Sequence, residues 1–498
     1  MSIQQRVHEK RLLDRVADAN KAVSIIRDAM TVATTGNAFS GFPLTLLLAM
    51  ARALSVRKEK VTLFCAGALG NDIEEEFDRG DVVGRRLGSL GSPSARKAVA
   101  EGRLAFLDVK SGVFPLQVAR GDFGPVDVAL IEAVAITPDG HIVPSTALID
   151  SPRWVQCAKK VLVEINPWVP EELVNFHDVF LPDPAPYSKA IPLFRMDQRI
   201  GTSHIEVAED KIYAIVETAD PMPDPGRSES ITPVNRQIAE HFIRFLDSQV
   251  KSERLPSPPP PLEVGIGDIA DAVIECLKES EFKDLNLYLP GVTDRVLDLM
   301  DEGKVAFVSA TNLRMGKKGL ERFFSALEAY RHIILRPLDI LNSGDVIRRM
   351  NVIALNTAIE IDIQGQVNSS HLMGVRMVGG IGGSYDYSRN ARLSVFLTPS
   401  TTQNGNISCI VPLVAHVDHT EHDVDVVVTE QGLADLLGLD PMARASLIID
   451  SCSHPEYRSE LTHYLERARK KDGSRQPLVM EQAFSFHERF ARNKSMKQ

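Results

Sequence analysis

LEVGIGDIADAV, Leu262–Val273, sets a short apolar strand against a helical pattern, with Gly265 and Gly267 between them. NLYLPGVTDRVLDLMDEG (Asn286–Gly303) repeats the change from strand to helix, and VNSSHLMGVRMVGGIGGSYD (Val367–Asp386) ends in a denser glycine loop. Strand, turn and helix in that order are the unit of a parallel α/β layer, and N–H groups at such a turn can receive a phosphate-bearing ligand. Gly265 and Gly267 lack the third glycine of the dinucleotide fingerprint, so a tight turn with nothing bound explains them equally well.

The later loop says more. Gly379, Gly380, Gly382 and Gly383 fall within five positions, followed by Ser384. Each glycine loses more backbone freedom on folding than any other residue, so such a cluster does not arise for packing. A backbone N–H directed at a developing oxyanion is the leading functional reading.

Working outward, VAFVSATNL (305–313), HIILRPLDILN (332–342), NVIALNTAIEIDIQGQVN (351–368), RLSVFLTP (392–399) and VDVVVTEQGLADLLGLDP (424–441) continue the alternation. MTVATTGNAFSGFPLTLLLAMARAL (30–54) reads as a strand, a loop and a helix entered near Pro43, and VDVALIEAVAITPDGHIVPS (126–145) as two strands about a PDG turn. The opening thirty residues alternate charge with Val, Leu and Ile at helical spacing and contain acids, unlike a signal peptide; they are predicted to form an N-terminal helix. DPMPDPG (220–226) and LPSPPPP (255–261) are stiff extended connectors, which places a domain boundary near residue 228, between domains 1–228 and 229–498.

With 498 residues and 44% apolar content, the chain requires two or more cores. No apolar run approaches the roughly 20 residues of a membrane-spanning helix, so no membrane association is expected. A net charge of −10 and the lack of a basic stripe interleaved with aromatics argue against a general nucleic-acid surface. Cys65, Cys157, Cys276, Cys409 and Cys452 are odd in number and scattered, which fits a reducing compartment, the cytoplasm.

HVDHTEHDVDVVVTEQG (416–432) carries His416, His419 and His422 among Asp418, Glu421 and Asp423. Three-residue spacing aligns histidines on a helix, but this segment runs straight into a β-branched strand. A hydrogen-bonded turn leading into a buried strand is preferred, with no metal. Glu430 at that strand's end is the more interesting residue, because strand ends in parallel sheets face ligand crevices. No serine-hydrolase elbow, zinc-protease or P-loop motif is present.

Together, GIGDIADAV, DRVLDLMDEGK, SAT, IEIDIQGQVNSSH, GGIGGSYDYSRNA, the His-rich segment through LADLLGL, and SHPEYR resemble the C-terminal half of acetyl-CoA hydrolases and succinyl-CoA:acetate-type CoA-transferases. DVALIEAVAITPDGHIVP, VLVEIN, RIG and DKIYAIVET resemble the N-terminal half. The resemblance covers nearly the whole chain in order. It implies two related open α/β/α domains of the CoA-transferase type, CoA or acyl-CoA as substrate, no covalently bound cofactor, and a homodimer.

In that family an acyl group passes to a glutamate, which splits one difficult step into two. Carried over by motif, Asn342 matches the side-chain oxyanion donor and Gly383 the backbone donor, while Val264, Gly265, Ile266, Gly267, Ile359 and Gly379 fall where the family contacts CoA. Two positions depart. The glutamate's place falls on Pro290, in LYLPGV, and Leu287–Val292 contains no carboxylate. Gln403 stands where relatives often carry a lysine suited to a CoA phosphate, with Arg376 and Arg389 nearby in sequence.

Three readings follow. The first is an acyl-CoA enzyme in which water attacks directly, positioned by Glu430 or Asp294, to hydrolyse a thioester or the C–C bond of a β-keto acyl-CoA. The second is a CoA-transferase using another carboxylate. The third is a catalytically silent CoA-binding protein, against which stands the retained pair Asn342 and Gly383.

Overall fold

Residues 2–37, 40–219, 231–470 and 475–497 are described by the computed structural model. The chain divides into two compact units: Met1–Arg227 with Tyr288–Met300 and Ala306–Met350, and Ser228–Leu287 with Asp301–Val305 and Asn351–Gln498. The boundary expected near residue 228 and the DPMPDPG stretch lie outside the described residues.

The first unit is built on β1 (Thr31–Thr34), β2 (Val61–Cys65), β3 (Val83–Gly88), β4 (Ala105–Asp108), β5 (Val126–Ile136), β6 (Ile142–Pro144), β7 (Ala158–Ile165) and β8 (Ile212–Glu217). Their order is β4-β3-β2-β1-β5-β7-β8, with β6 antiparallel on β5 and the other pairs parallel. A parallel sheet is covered on both faces, so its strands read as continuous apolar runs, as VDVALIEAVAI in β5 does. The helix Leu44–Arg57 lays Leu46, Leu47, Met50 and Leu54 against Val32, Leu63 and Leu130.

The predicted N-terminal helix does not form. Short helical turns at Ile3–Arg6, Lys10–Arg15, Ala19–Ala22 and Val23–Ile25 stand in its place. Between them Val7 and Val16 bridge to Ile136 and Ile215. The His8 N–H bonds the Ile136 carbonyl at 3.0 Å and the Ala17 N–H bonds that of Ile215 at 2.9 Å, so tertiary bonds to β5 and β8 replace the helical ladder.

The second sheet contains β9 (Leu262–Val264), β10 (Leu285–Leu289), β11 (Val305–Ala310), β12 (Ile333–Leu335), β13 (Ile353–Thr357), β14 (Leu393–Leu397), β15 (Val426–Thr429) and β16 (Gly432–Asp435). Its order is β12-β11-β10-β9-β13-β14-β15-β16, with β16 antiparallel at the edge. Both sheets therefore start in the middle, grow one way, and then reverse beside their first strand. This repeated order is the two related open α/β layers that the sequence predicts. In the second unit, Ile448, Ile449, Leu461 and Leu465 of the helices Pro441–Cys452 and Pro455–Arg469 pack in one core with Phe396 and Val427. Among the described residues no helix is long and apolar enough to cross a membrane.

Candidate active site

The second sheet reverses between β9 and β13, and a crevice outside the carboxyl ends of strands at such a reversal is where open α/β sheets hold ligands. A cavity of about 190 Å³ lies there. Val264, Gly265 and Ile266 form one wall, Leu355, Asn356 and Thr357 a second, and Gly380, Ile381 and Ser384 a third. The two glycine stretches of the sequence, more than a hundred residues apart, thus wall one space.

Local geometry accounts for the glycines. Gly267 caps the helix Asp268–Glu279 with φ +130°, a conformation L side chains rarely adopt, and its carbonyl accepts the Asp271 N–H at 2.9 Å. Gly382 has φ +56° and turns the loop into the short helix Ser384–Ser388. The carbonyl of Gly383 accepts from the Asp386 and Tyr387 N–H groups.

Behind the loop, Ser384 Oγ donates to the Ile381 carbonyl at 2.7 Å and lies 3.2 Å from His419 Nε2. His419 Nδ1 is 3.0 Å from Ser388 Oγ. The ring is fully buried, and burial depresses its pKa to about 4, so it is neutral at physiological pH. His416 lies 3.3 Å from Asp418 with its ring 3.9 Å from that of His371, while Asp418 accepts the Ser369 N–H at 2.7 Å. These histidines serve hydrogen bonds around a turn leading into β15, the preferred reading of the segment. Among the described residues no group of three or more His, Cys, Asp and Glu side chains could hold a metal ion.

A larger cavity, about 550 Å³, follows the smaller one along two strands: Thr357 and Leu397 line the smaller space, Ala358 and Thr398 the larger. Ile359, Arg376 and Gln403 line it together with apolar Leu372, Phe490 and Met496. Arg376 thus stands on the same cavity as Gln403. Arg389 does not: it is committed to Asp423 at 3.3 Å and to the face of Tyr385.

Family models for the acetyl-CoA hydrolase/transferase N-terminal and C-terminal domains match residues 1–217 and 319–465. The chain belongs to the acetyl-CoA hydrolase/transferase family. It is 38% identical to succinyl-CoA:acetate CoA-transferase of Clostridium kluyveri, over 99% of this chain and 92% of that protein. It is 36% identical to acetyl-CoA hydrolase of Candida albicans, over 99% and 98%. Among solved structures, RipA from Yersinia pestis superposes with TM-score 0.71 at 20% identity, covering 94% of this chain and 100% of that one. A 4-hydroxybutyrate CoA-transferase from Porphyromonas gingivalis gives 0.62 at 21%, covering 91% and 98%. At those identities the structural likeness speaks for the fold alone.

For this member of the acetyl-CoA hydrolase/transferase family, the predicted CoA contacts Val264, Gly265 and Ile266 lie on the smaller cavity and Ile359 on the larger. Gly267, Gly379 and Gly383 adjoin lining residues in sequence. In the first unit, Asn342 is buried at the end of the short helix Leu338–Leu341, and Asp294 Oδ2 accepts the Gly316 N–H at 2.9 Å. Glu430 directly follows β15. Its Oε2 accepts the Ser400 N–H at 2.7 Å, and its Oε1 accepts from Ser400 Oγ and from Gln431 Nε2 at 3.0 Å. Burial pushes its pKa up, but these bonds outweigh it and hold the carboxyl below its usual range.

Asn356 and Ser369 line the smaller cavity without having been singled out by motif. The available signal for Asn356 was a polar residue ending the apolar run VIALNT.

Proposed function

We propose that the chain is an acyl-CoA-using enzyme that acts by direct attack of water on an acyl-CoA, cleaving a thioester or the C–C bond of a β-keto acyl-CoA. The observation that carries this reading is the switch-point cavity walled by both glycine stretches; the family resemblance, which puts Pro290 at the nucleophile position, supports it. Pro290 directly follows β10, has no ionisable group, and offers its carbonyl to Thr311 Oγ1 at 2.5 Å.

In this reading CoA runs along Val264–Gly267, Ile359 and Gly379. By the family resemblance, Gly383 and Asn342 are the proposed oxyanion donors, and Glu430 or Asp294 the proposed residue for orienting the water. For a thioester, water oxygen attacks the carbonyl carbon, its proton passes to the carboxylate and on to the departing sulfur, and the C–S bond breaks. One oxyanion donor is worth roughly 10²–10³ in rate, enough to support turnover without a covalent step. The second reading, an acyl-CoA:carboxylate CoA-transferase using another carboxylate, draws on the transferase name of the Clostridium relative. A cytoplasmic homodimer belongs to the proposal by family analogy; sedimentation velocity checks the dimer.

The test is incubation of purified protein with a panel of acyl-CoAs, with and without acetate or succinate, following free thiol and acyl exchange by mass spectrometry. Acceptor-independent release of thiol, or of a shortened acyl-CoA from a β-keto substrate, supports hydrolysis. Acceptor-dependent exchange supports the transferase, and CoA binding without turnover a silent binder. The complementary variant is P290E with Gly291 kept, since a Cβ at Gly291 would overlap Asn312 Oδ1. Transferase activity gained by P290E would show that the remaining machinery is intact.

A further inference from the structure

Asn356 is 8% exposed and lines the smaller cavity, yet its Nδ2 has no hydrogen-bond partner among the described residues. In β13 it follows Leu355, which pairs with Val264, so it stands opposite Gly265 in the cavity wall. Gly265 has no side chain to meet it, and a Cβ there would touch only the Leu355 carbonyl.

A second orphan lies on the same face of the sheet. Glu263 pairs with Ala354, and residues two apart in a strand share a face, so Glu263, Gly265, Ala354 and Asn356 all point one way. Glu263 is 3% exposed and its Oε2 also lacks a partner. Buried polar groups in folded proteins are nearly always bonded, so an unpaired amide donor that lines a cavity, with an unpaired carboxyl oxygen on the neighbouring strand, calls for a ligand.

We infer that Asn356 is a substrate-binding residue whose side-chain amide donates a hydrogen bond to a carbonyl oxygen of acyl-CoA. The inference rests on the acyl-CoA reading above and adds a residue to it. Two carbonyls of the ligand have the required chemistry: the reacting acyl carbonyl and an amide carbonyl of the pantetheine arm. A bond to the reacting carbonyl strengthens as charge develops on oxygen and acts on kcat, whereas a bond to the arm is equal in ground and transition states and acts on KM.

The experiment compares wild type with N356L, which keeps side-chain size and removes the donor, and with N356S, which restores a smaller one. CoA and acetyl-CoA affinity by calorimetry, steady-state kinetics and the thermal midpoint without ligand are measured for each. The expected result for N356L has two opposite signs. The midpoint holds or rises, because an unsatisfied buried amide is removed, while ligand recognition weakens. Loss of kcat by about 10²-fold or more assigns the donor to the reacting carbonyl; a loss of affinity by about tenfold with kcat unchanged assigns it to the arm. Partial recovery in N356S supports either assignment.

If wild type binds acyl-CoA and N356L binds and turns over equally well, the inference is overturned while the acyl-CoA reading stands; a bridging water then explains the orphans. A falling midpoint with unchanged recognition overturns it too, as the sign of a structural amide. If wild type binds neither CoA nor acetyl-CoA, the acyl-CoA reading itself fails and takes the inference with it.

Discussion

His419 and Ser384 are joined across 3.2 Å, Nε2 to Oγ, at the back of the glycine loop. Because burial keeps the imidazole neutral, one ring nitrogen donates and the other accepts. Ser384 Oγ–H is given to the Ile381 carbonyl, so Nε2–H donates to Ser384 and Nδ1 accepts from Ser388. The histidine therefore anchors both ends of the segment that follows Gly383.

Replacing it should loosen that anchor. H419A takes a hydrogen bond from the buried Ser388 hydroxyl and one from the half-buried Ser384 hydroxyl, and is expected to cost about 1–3 kcal/mol in urea unfolding. If the loop supplies the oxyanion donor, kcat falls more than KM rises, and H419Q, which keeps a donor and an acceptor, recovers part of both.

The pH dependence of stability has a defined sign at Glu263. Burial pushes its pKa from the ordinary 4.5 up to about 8, opposed by a backbone hydrogen bond at Leu355. Its folded value lies above its unfolded one, so its contribution is full below pH 4.5 and is lost as pH rises through about 8. E263Q should therefore gain on wild type between those limits, by up to about 1.4 kcal/mol per pH unit, and hold the difference above them. Other buried carboxyls titrate in the same window, so the variant-minus-wild-type difference from chemical unfolding is the quantity to measure. A flat difference would exclude Glu263 as a contributor.

Anion binding in the larger cavity should follow Arg376 and position 403. R376Q is expected to weaken CoA binding roughly five- to tenfold at low salt, and Q403K to strengthen it by a similar factor. Both effects shrink as ionic strength rises. Calorimetric titration with CoA and with dephospho-CoA at two salt concentrations checks both, and R389Q serves as the control.

The cavity wall also depends on a buried hydrogen bond between His487 and Glu360. Glu360 Oε2 meets His487 Nε2 at 2.8 Å, while Oε1 accepts from Asn368 Nδ2 at 3.0 Å and the Ala415 N–H at 2.9 Å. Burial pushes the Glu360 pKa up, but these partners outweigh it and the carboxyl titrates below its ordinary value. H487A takes one hydrogen bond from a buried carboxylate and should cost about 1–3 kcal/mol. Stability that depends on this carboxylate is present above pH 4.5 and lost as pH falls further, so the H487A deficit should narrow in acid. Chemical unfolding at neutral pH and near pH 4 tests this. Because Phe490 and Met496 beyond His487 line the larger cavity, CoA affinity should fall with it.

The amino-acid sequence alone determined the layers. Apolar runs such as VDVALIEAVAI and VIALNT can be buried only as strands covered on both faces, and Gly267 and Gly382 mark turns because their positive φ suits no other residue so well. Family motifs carried the chain further, to the acetyl-CoA hydrolase/transferase family, and singled out Val264, Gly265 and Ile266, which line the smaller cavity.

What the chain could not disclose locally were relations set by strand order. That VGIG and VGGIGG face one cavity follows from β13 lying beside β9, a pairing across about ninety residues that no periodicity encodes. The helical spacing of the first thirty residues lost to backbone bonds with Ile136 and Ile215, which exist only once the sheet is assembled. Asn356 read as one polar residue at a strand end until its neighbours were in place, because whether a buried amide is satisfied depends on every group packed around it. Propensity and pattern are local and were legible in the sequence; hydrogen-bond satisfaction and cavity shape are sums over residues distant in the chain, and tertiary structure alone decided them.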